Sequence, residues 1–181
     1  GIAGHSMGGY GALSLSMKFP DVFGAIAALS PGYPNNFEMD KTVIDKFIQA
    51  SPDTVRPPLM VKTWQDLWNV YFQTEEINPI YAMAAAFSPN LDNEPYFVDL
   101  PIQYPEKTIR EDIWQKWIDH DLVHLIAQHG EHLLDKPIYI DEGVGPVLMM
   151  EEVKGIEYIL QALDEKQIPH QYEQFDGDHV T

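Results

Sequence analysis

A serine with glycines on both sides, in the opening stretch GIAGHSMGGYGAL, constrains the fold of this 181-residue chain more than any other feature. An apolar run over 1–3 leads into the pentapeptide GHSMG over 4–8, and small residues follow it. This context is typical of a buried strand that turns sharply into a helix. The turn is so tight that Gly4 and Gly8 are expected to have almost no room for a Cβ, and the strained backbone lifts the Ser6 hydroxyl above the sheet.

A G-x-S-x-G sequence between a strand and a helix indicates a nucleophile elbow. The N–H of Met7 then lies at a helix N-terminus, where it can stabilise a negative charge that develops on an oxygen. A serine hydroxyl needs a base to take its proton, and His179 is the best placed of the seven histidines because its Gly/Asp loop follows the last predicted strand. Asp141, at the end of the predicted strand Ile138 to Ile140, stands between Ser6 and His179 in the chain and can orient the imidazole.

Apolar runs alternate with helical patterns at the two ends of the chain. A helix after the elbow is expected to stop at Pro20, and Ala25 to Leu29 is expected to form a second buried strand. After the strand Ile138 to Ile140, a helix is predicted from apolar residues spaced three and four apart, and HQYEQF predicts a last strand. The apolar residues of that helix are Met149, Val153, Ile156, Leu160 and Leu163. About four strands alternating with helices predict an α/β fold with a parallel sheet covered on both faces.

The middle of the chain, 33–135, differs from the two ends in amino-acid composition. Ten of the fourteen prolines lie between Pro31 and Pro105, and the four tryptophans also fall in this region. We predict a cap insertion of short helices and loops over 33–135, within a single domain over 1–181. Each tryptophan pair shares a helical face and either packs the core of the cap, which we favour, or forms an aromatic wall for a substrate. The pairs are Trp64 with Trp68 and Trp114 with Trp117.

Composition excludes several classes of function. The chain carries 28 acidic against 11 basic residues, a formal charge of −17, so its surface repels nucleic acid. No apolar run approaches the roughly 18 residues of a membrane-spanning helix. There is no cysteine, which excludes thiolate chemistry and disulfides. His120 and His124 have a spacing that can hold zinc, but their apolar neighbours indicate ordinary helix packing, and no metal site is expected.

Four segments, GHSMGGYGAL, FPDVFGAIAALSPG, YIDEG and IPHQYEQFDGDH, together resemble the putative-esterase family of α/β-hydrolases. That family includes S-formylglutathione hydrolase, feruloyl esterases and bacterial mycolyltransferases. The resemblance covers roughly 1–32 and 136–181. It implies an eight-stranded hydrolase sheet, no cofactor, a small-molecule ester as substrate and a Ser/acid/His triad that cleaves carboxylic esters. Ser6 and His179 match the family's nucleophile and base.

The acid of the family's triad does not match. The family places its aspartate about three residues after the glycine that is Gly143 here, and that position is Pro146. Asp141, which we favour, or Glu142 substitutes for it, Glu151 reaches in from the following helix, or the triad is incomplete. Loss of the orienting acid in a serine protease costs about 10⁴ in turnover.

Three further hypotheses therefore stay open beside the esterase. An acyltransferase uses the same acyl-enzyme and passes the acyl group to an alcohol, and a binding module would keep the fold without a working triad. A glycine-rich turn with an exposed serine is the third. The hydrolase sheet also places several strands before the nucleophile strand, and these supply the second oxyanion donor. We therefore expect the chain to be an internal fragment, the C-terminal half of the fold, that is inactive by itself.

Overall fold

The computed structural model describes residues 1–32, 78–94, 96–103, 106, 108–143, 145 and 156–179. In chain order the strands are β1 (Ile2–His5), β2 (Ile26–Leu29), β3 (Ile102–Gln103), β4 (Thr108–Ile109), β5 (Ile138–Gly143) and β6 (Gln171–Phe175). The helices are α1 (Met7–Lys18), α2 (Asn78–Phe87), α3 (Glu111–Ile118), α4 (Leu122–His129) and α5 (Ile156–Glu165), with a 3-10 turn at Gly130–Leu133. Contacts divide the chain into two compact units, Gly1–Met39 with Ile118–Thr181, and Asp40–Trp117.

The first unit contains a four-stranded parallel sheet in the order β1-β2-β5-β6, which confirms the predicted α/β class. Strand β5 is longer than the predicted strand Ile138 to Ile140. Its ladder with β6 continues through Asp141, opposite Glu173, to Gly143, opposite Phe175. Asp141 is therefore part of the sheet because backbone pairing with β6 extends past the apolar residues.

One face of this sheet carries the hydrophobic core. Helix α1 connects β1 to β2, and α5 connects β5 to β6; both connections advance in the same direction across the sheet. Because such crossovers are right-handed, α1 and α5 lie on the same face. Ile26 and Ala28 are buried there, whereas Ala27 and Leu29 on the other face are only partly buried. That both faces of the sheet are covered stays a prediction. The core residues supplied by the helices include Leu13, Met17, Leu122, Leu125, Ile126, Ile159 and Leu163.

Helix α4 packs against α1 and α5, the helices that cover the sheet, although it falls inside the predicted cap region 33–135. Asp121 caps its N-terminus by accepting hydrogen bonds from the N–H groups of Val123 and His124, at 2.8 and 3.4 Å. Tyr10 of α1 donates its hydroxyl proton to the carbonyl of His120 at 2.9 Å, and burial raises the pKa of Tyr10 to about 12. The apolar face of α4 belongs to the core, so the compact second unit ends at Trp117. That residues 33–135 act as a cap stays a prediction.

The second unit is built around α2, α3 and the antiparallel pair β3 and β4. Trp114 and Trp117 lie on one face of α3, with ring centroids 6.1 Å apart and exposures of 7% and 0%, so this pair packs the unit's interior as favoured. The Trp117 indole donates to Ser88 Oγ at 3.0 Å, which satisfies a buried donor. Trp64 and Trp68 lie outside the described residues. In the part of the chain that the structure describes, no helix has the length and apolarity to cross a membrane.

Two leucines on α1 provide a matched test of the core. Leu13 is fully buried and Leu15 is 39% exposed. We expect Leu13→Ala to lower the free energy of unfolding by about 2–5 kcal/mol, because it leaves a cavity in a packed core. Leu15→Ala makes the same chemical change at a partly exposed position and should cost less than about 1 kcal/mol. Urea unfolding of the complete protein measures both changes. Equal losses in the free energy of unfolding would contradict the burial of Leu13 and the partial exposure of Leu15.

Candidate active site

Ser6 lies in a strained turn between β1 and α1. Its backbone has φ 56° and ψ −121°, a conformation that costs a non-glycine residue on the order of 1–3 kcal/mol. Hydrogen bonds hold it there: the Ser6 N–H donates to Leu29 O at 2.9 Å, and the Ser6 carbonyl accepts from the N–H groups of Gly9 and Gly32 at 2.9 and 3.0 Å. Neighbouring strand and helix therefore fix the serine at the carboxyl end of the sheet.

The glycines around Ser6 act differently from one another. A Cβ at Gly4 would overlap the carbonyl oxygen of Gly8, as expected for the residue two before the serine. A Cβ at Gly8 would meet nothing within 4 Å, so the expectation that Gly8 has no room for a side chain is wrong. The reason is that Gly8 contributes its backbone to the close approach, and its own Cβ would point into open space. The second tight contact is at Gly9, where a Cβ would lie 2.9 Å from Cα of Pro31.

The structure brings His179 to Ser6. Its Nε2 lies 2.8 Å from Ser6 Oγ. Ser6 follows β1 and His179 follows β6, which are at opposite edges of the described sheet. Three strand spacings separate these edges, about 14 Å, so the loop over 176–179 crosses the carboxyl ends of β5 and β2. Chain order predicted the pair, and the return of this loop across the sheet creates the contact.

Two glycines at the carboxyl end of β5, the last residue of the strand and the second residue after it, support the loop that carries His179. The N–H of Gly145 donates to Gly177 O at 2.6 Å. A Cβ at Gly143 would overlap the carbonyl oxygen of Asp178 and lie 2.7 Å from that of Gly177. Sequence analysis missed this role of Gly143 and Gly145. The available signal was the G-V-G sequence shortly after the predicted strand Ile138 to Ile140, since a glycine near a strand end often marks a close backbone approach.

His5, the residue before the nucleophile, also contacts the loop. Its Nε2 lies 2.5 Å from the carbonyl oxygen of His179, and the two ring centroids are 4.9 Å apart. Burial lowers the pKa of His179, the neighbouring His5 lowers it further, and Asp178 opposes both. The G-x-S-x-G pattern leaves this position free, so the motif carried no signal for His5.

The candidate acids occupy different surroundings. The Asp141 carboxylate accepts a hydrogen bond from the Ser30 N–H at 3.0 Å, and Ser30 itself has a positive φ of 41°. Glu142 accepts from the hydroxyl of Tyr172 at 3.1 Å, and burial raises the pKa of Glu142. The hydrogen bonds described for the Asp141 and Glu142 side chains are those to Ser30 and Tyr172, and neither is to the ring of His179. Pro146 and Glu151 lie outside the described residues.

The N–H of Met7 opens α1 directly after Ser6. It bonds to no carbonyl oxygen of the described residues, and it lies at the positive end of the helix dipole. For metals, the described part of the chain contains no cluster of three or more candidate ligands. His124, one half of the zinc-like spacing, instead faces Gln128, with Nε2 atoms 2.7 Å apart.

Replacing Gly143 tests whether its lack of a side chain positions the loop that carries His179. Gly143→Ala should displace the carbonyls of Gly177 and Asp178, and His179 with them. We expect the rate at which a fluorophosphonate labels Ser6 in the complete protein to fall about 10-fold or more, because small misplacements of a catalytic group are costly. Gly24→Ala is the control, since its Cβ would meet nothing within 4 Å. If both variants were labelled at the wild-type rate, the loop that carries His179 would not depend on the space at Gly143.

Comparison with known proteins adds the family. The chain matches the family model described as Putative esterase over residues 1–181. No curated protein matches it. It is similar to the crystal structure of S-formylglutathione hydrolase from Staphylococcus aureus, at 20% identity and a TM-score of 0.43, over 98% of this chain and 46% of that one. It is also similar to the structure of a ferulic acid esterase, at 15% identity and a TM-score of 0.43, over 98% of this chain and 43% of that one. The chain thus spans less than half of either protein, and the family model, which matches it throughout, shows that it belongs to the Putative esterase family.

Proposed function

We propose that the protein is a serine esterase that cleaves carboxylic esters of small molecules through an acyl-enzyme. The observation that carries this proposal is the 2.8 Å contact between Ser6 Oγ and His179 Nε2 at a strained strand-to-helix turn. Membership of an esterase family supports it. The lowered pKa of His179 also supports it, because a base must be neutral to accept a proton at neutral pH.

The pair accounts for both halves of the reaction. Ser6 Oγ attacks the ester carbonyl carbon, and its proton passes to Nε2 of His179 as the new C–O bond forms. The tetrahedral intermediate collapses, the alcohol leaves with the proton from His179, and an acyl group remains on Ser6. Water then attacks this acyl-enzyme, gives its proton to His179, and releases the carboxylic acid as the proton returns to Ser6.

The negative oxygen of each tetrahedral intermediate needs a donor. The Met7 N–H is adjacent to the attacking oxygen in the chain and opens α1. A preorganised donor of this kind contributes about 10² to 10³ in turnover. The helix dipole adds to it, because the first turn of α1 contains no acidic side chain that would oppose a developing negative charge.

We propose Asp141 as the carboxylate that orients His179. Strand register places His5, Leu29 and Asp141 in one row across the sheet, on the face opposite the core. His5 contacts His179 from this row, so Asp141 lies on the face where the base approaches. Glu142 points to the core face with Ile140, and its raised pKa makes it a poorer partner for an imidazolium. In this role the Asp141 carboxylate would have to turn from the Ser30 N–H toward the ring of His179.

Removing the nucleophile tests the proposed reaction. In the complete protein, wild type should react with a fluorophosphonate at Ser6, identified by mass spectrometry, and should release p-nitrophenol from p-nitrophenyl acetate with an initial burst. Ser6→Ala should lose the label and about 10⁶ in kcat. An unlabelled wild type would refute the esterase and favour a binding module. If an added alcohol captured nearly all acyl groups instead of water, the protein would be an acyltransferase.

Two neighbouring carboxylates provide a matched test of the acid. Asp141→Asn should lower kcat by up to about 10⁴, since an asparagine cannot stabilise the imidazolium. Glu142→Gln makes the same neutralising change one residue later and should leave kcat within a few-fold of wild type. Steady-state kinetics on the complete protein compare them, with Glu151→Gln as a third variant. A large loss in Glu142→Gln or Glu151→Gln, with Asp141→Asn active, would exclude Asp141.

A further inference from the structure

We propose that His5 is a positioning residue: its imidazole N–H holds the backbone of His179 so that the base stays aligned with Ser6. The inference rests on the proposed function, because it assigns a partner to the same base. The contact is direct, with His5 Nε2 2.5 Å from the His179 carbonyl oxygen. A carbonyl oxygen only accepts hydrogen bonds, so Nε2 of His5 must carry the proton.

The fold places His5 where it can do this without contributing to the core. Side chains alternate along β1, so His5 points away from the face on which Ile2 packs against the core cluster, and it is exposed. It is also joined by a peptide bond to Ser6. The proposed clamp and the nucleophile are therefore neighbours at the same end of β1.

The catalytic cycle explains why such a clamp is needed. The described structure shows two hydrogen bonds at His179: in the proposed reaction its Nε2 accepts from the Ser6 hydroxyl, and its carbonyl oxygen accepts from His5. The first bond is lost whenever Ser6 carries an acyl group. Gly145 holds the loop at Gly177, two residues earlier. The His5 contact is therefore the one described hydrogen bond at His179 that persists through the acyl-enzyme.

The second imidazole also changes the charge balance at the base. The titratable groups that act on His179 are His5 from β1 and Asp178 from its own loop. In the described structure, the carboxylates of β5 accept hydrogen bonds, Asp141 from the Ser30 N–H and Glu142 from the Tyr172 hydroxyl. Burial first and His5 second lower the pKa of His179. Without the His5 ring this pKa should rise, and activity should be lost at a higher pH as the solution is acidified.

Three amide substitutions in the complete protein separate the two effects. Glutamine at position 5 places a donor about as far from the backbone as Nε2 and does not titrate, whereas asparagine is one carbon shorter. We expect His5→Asn to lower kcat about 10- to 100-fold with little change in KM, and His5→Gln to retain most of kcat. Both should move the acid limb of kcat/KM to higher pH. His129→Gln, on α4 and stacked on His132, is the control and should change neither.

The outcomes distinguish this inference from the proposed function. Fluorophosphonate labelling of wild-type Ser6, together with unchanged kcat and pH profile in His5→Asn, would overturn the clamp and leave the esterase intact. Equal losses in His5→Asn and His5→Gln would overturn it as well, because the retained donor would then have no effect. A wild type that neither reacts at Ser6 nor cleaves esters would overturn both. Melting temperatures of all variants identify any loss that comes from unfolding.

Discussion

Strand β1 and helix α1 approach each other at Gly4 and Gly8 more closely than a Cβ at Gly4 would permit, and the rest of the site depends on this contact. It forces Ser6 into a left-handed backbone conformation, which raises the hydroxyl above the sheet. The strain is balanced by the packing of α1 against the buried face of the sheet and by the ladder with β2. The core therefore holds the nucleophile in a geometry that the local chain would not adopt by itself.

The base reaches this serine by a different route. Ser6 and His179 lie 173 residues apart in the chain and follow opposite edges of the described sheet, so no local preference can bring them together. The loop over 176–179 passes over the ends of the intervening strands, where Gly143 leaves room for its carbonyl groups. A backbone hydrogen bond from Gly145 and a side-chain hydrogen bond from His5 then hold the loop in place. The site is thus assembled from backbone fit as much as from the reacting side chains.

Much of this could be predicted from sequence where the signal is local. The elbow follows from glycine spacing, and the parallel sheet follows from apolar runs alternating with helical patterns. Two predictions, one about Gly8 and one about the end of β5, needed the three-dimensional structure for their correction. Gly8 has room for a Cβ because its backbone, and not its side chain position, makes the close contact. Strand β5 includes Asp141 because β6 pairs with it past the apolar residues.

The sequence by itself determined the nucleophile turn, the class of fold and the order in which the candidate groups occur. These are set by steric rules and periodicities that act within a few residues. Only the tertiary structure decided that His179 contacts Ser6, that Asp141 bonds to Ser30, and that His5 holds the loop of the base. Such contacts join residues more than 100 positions apart, and their distances depend on how the strands are ordered and how the loops return across them.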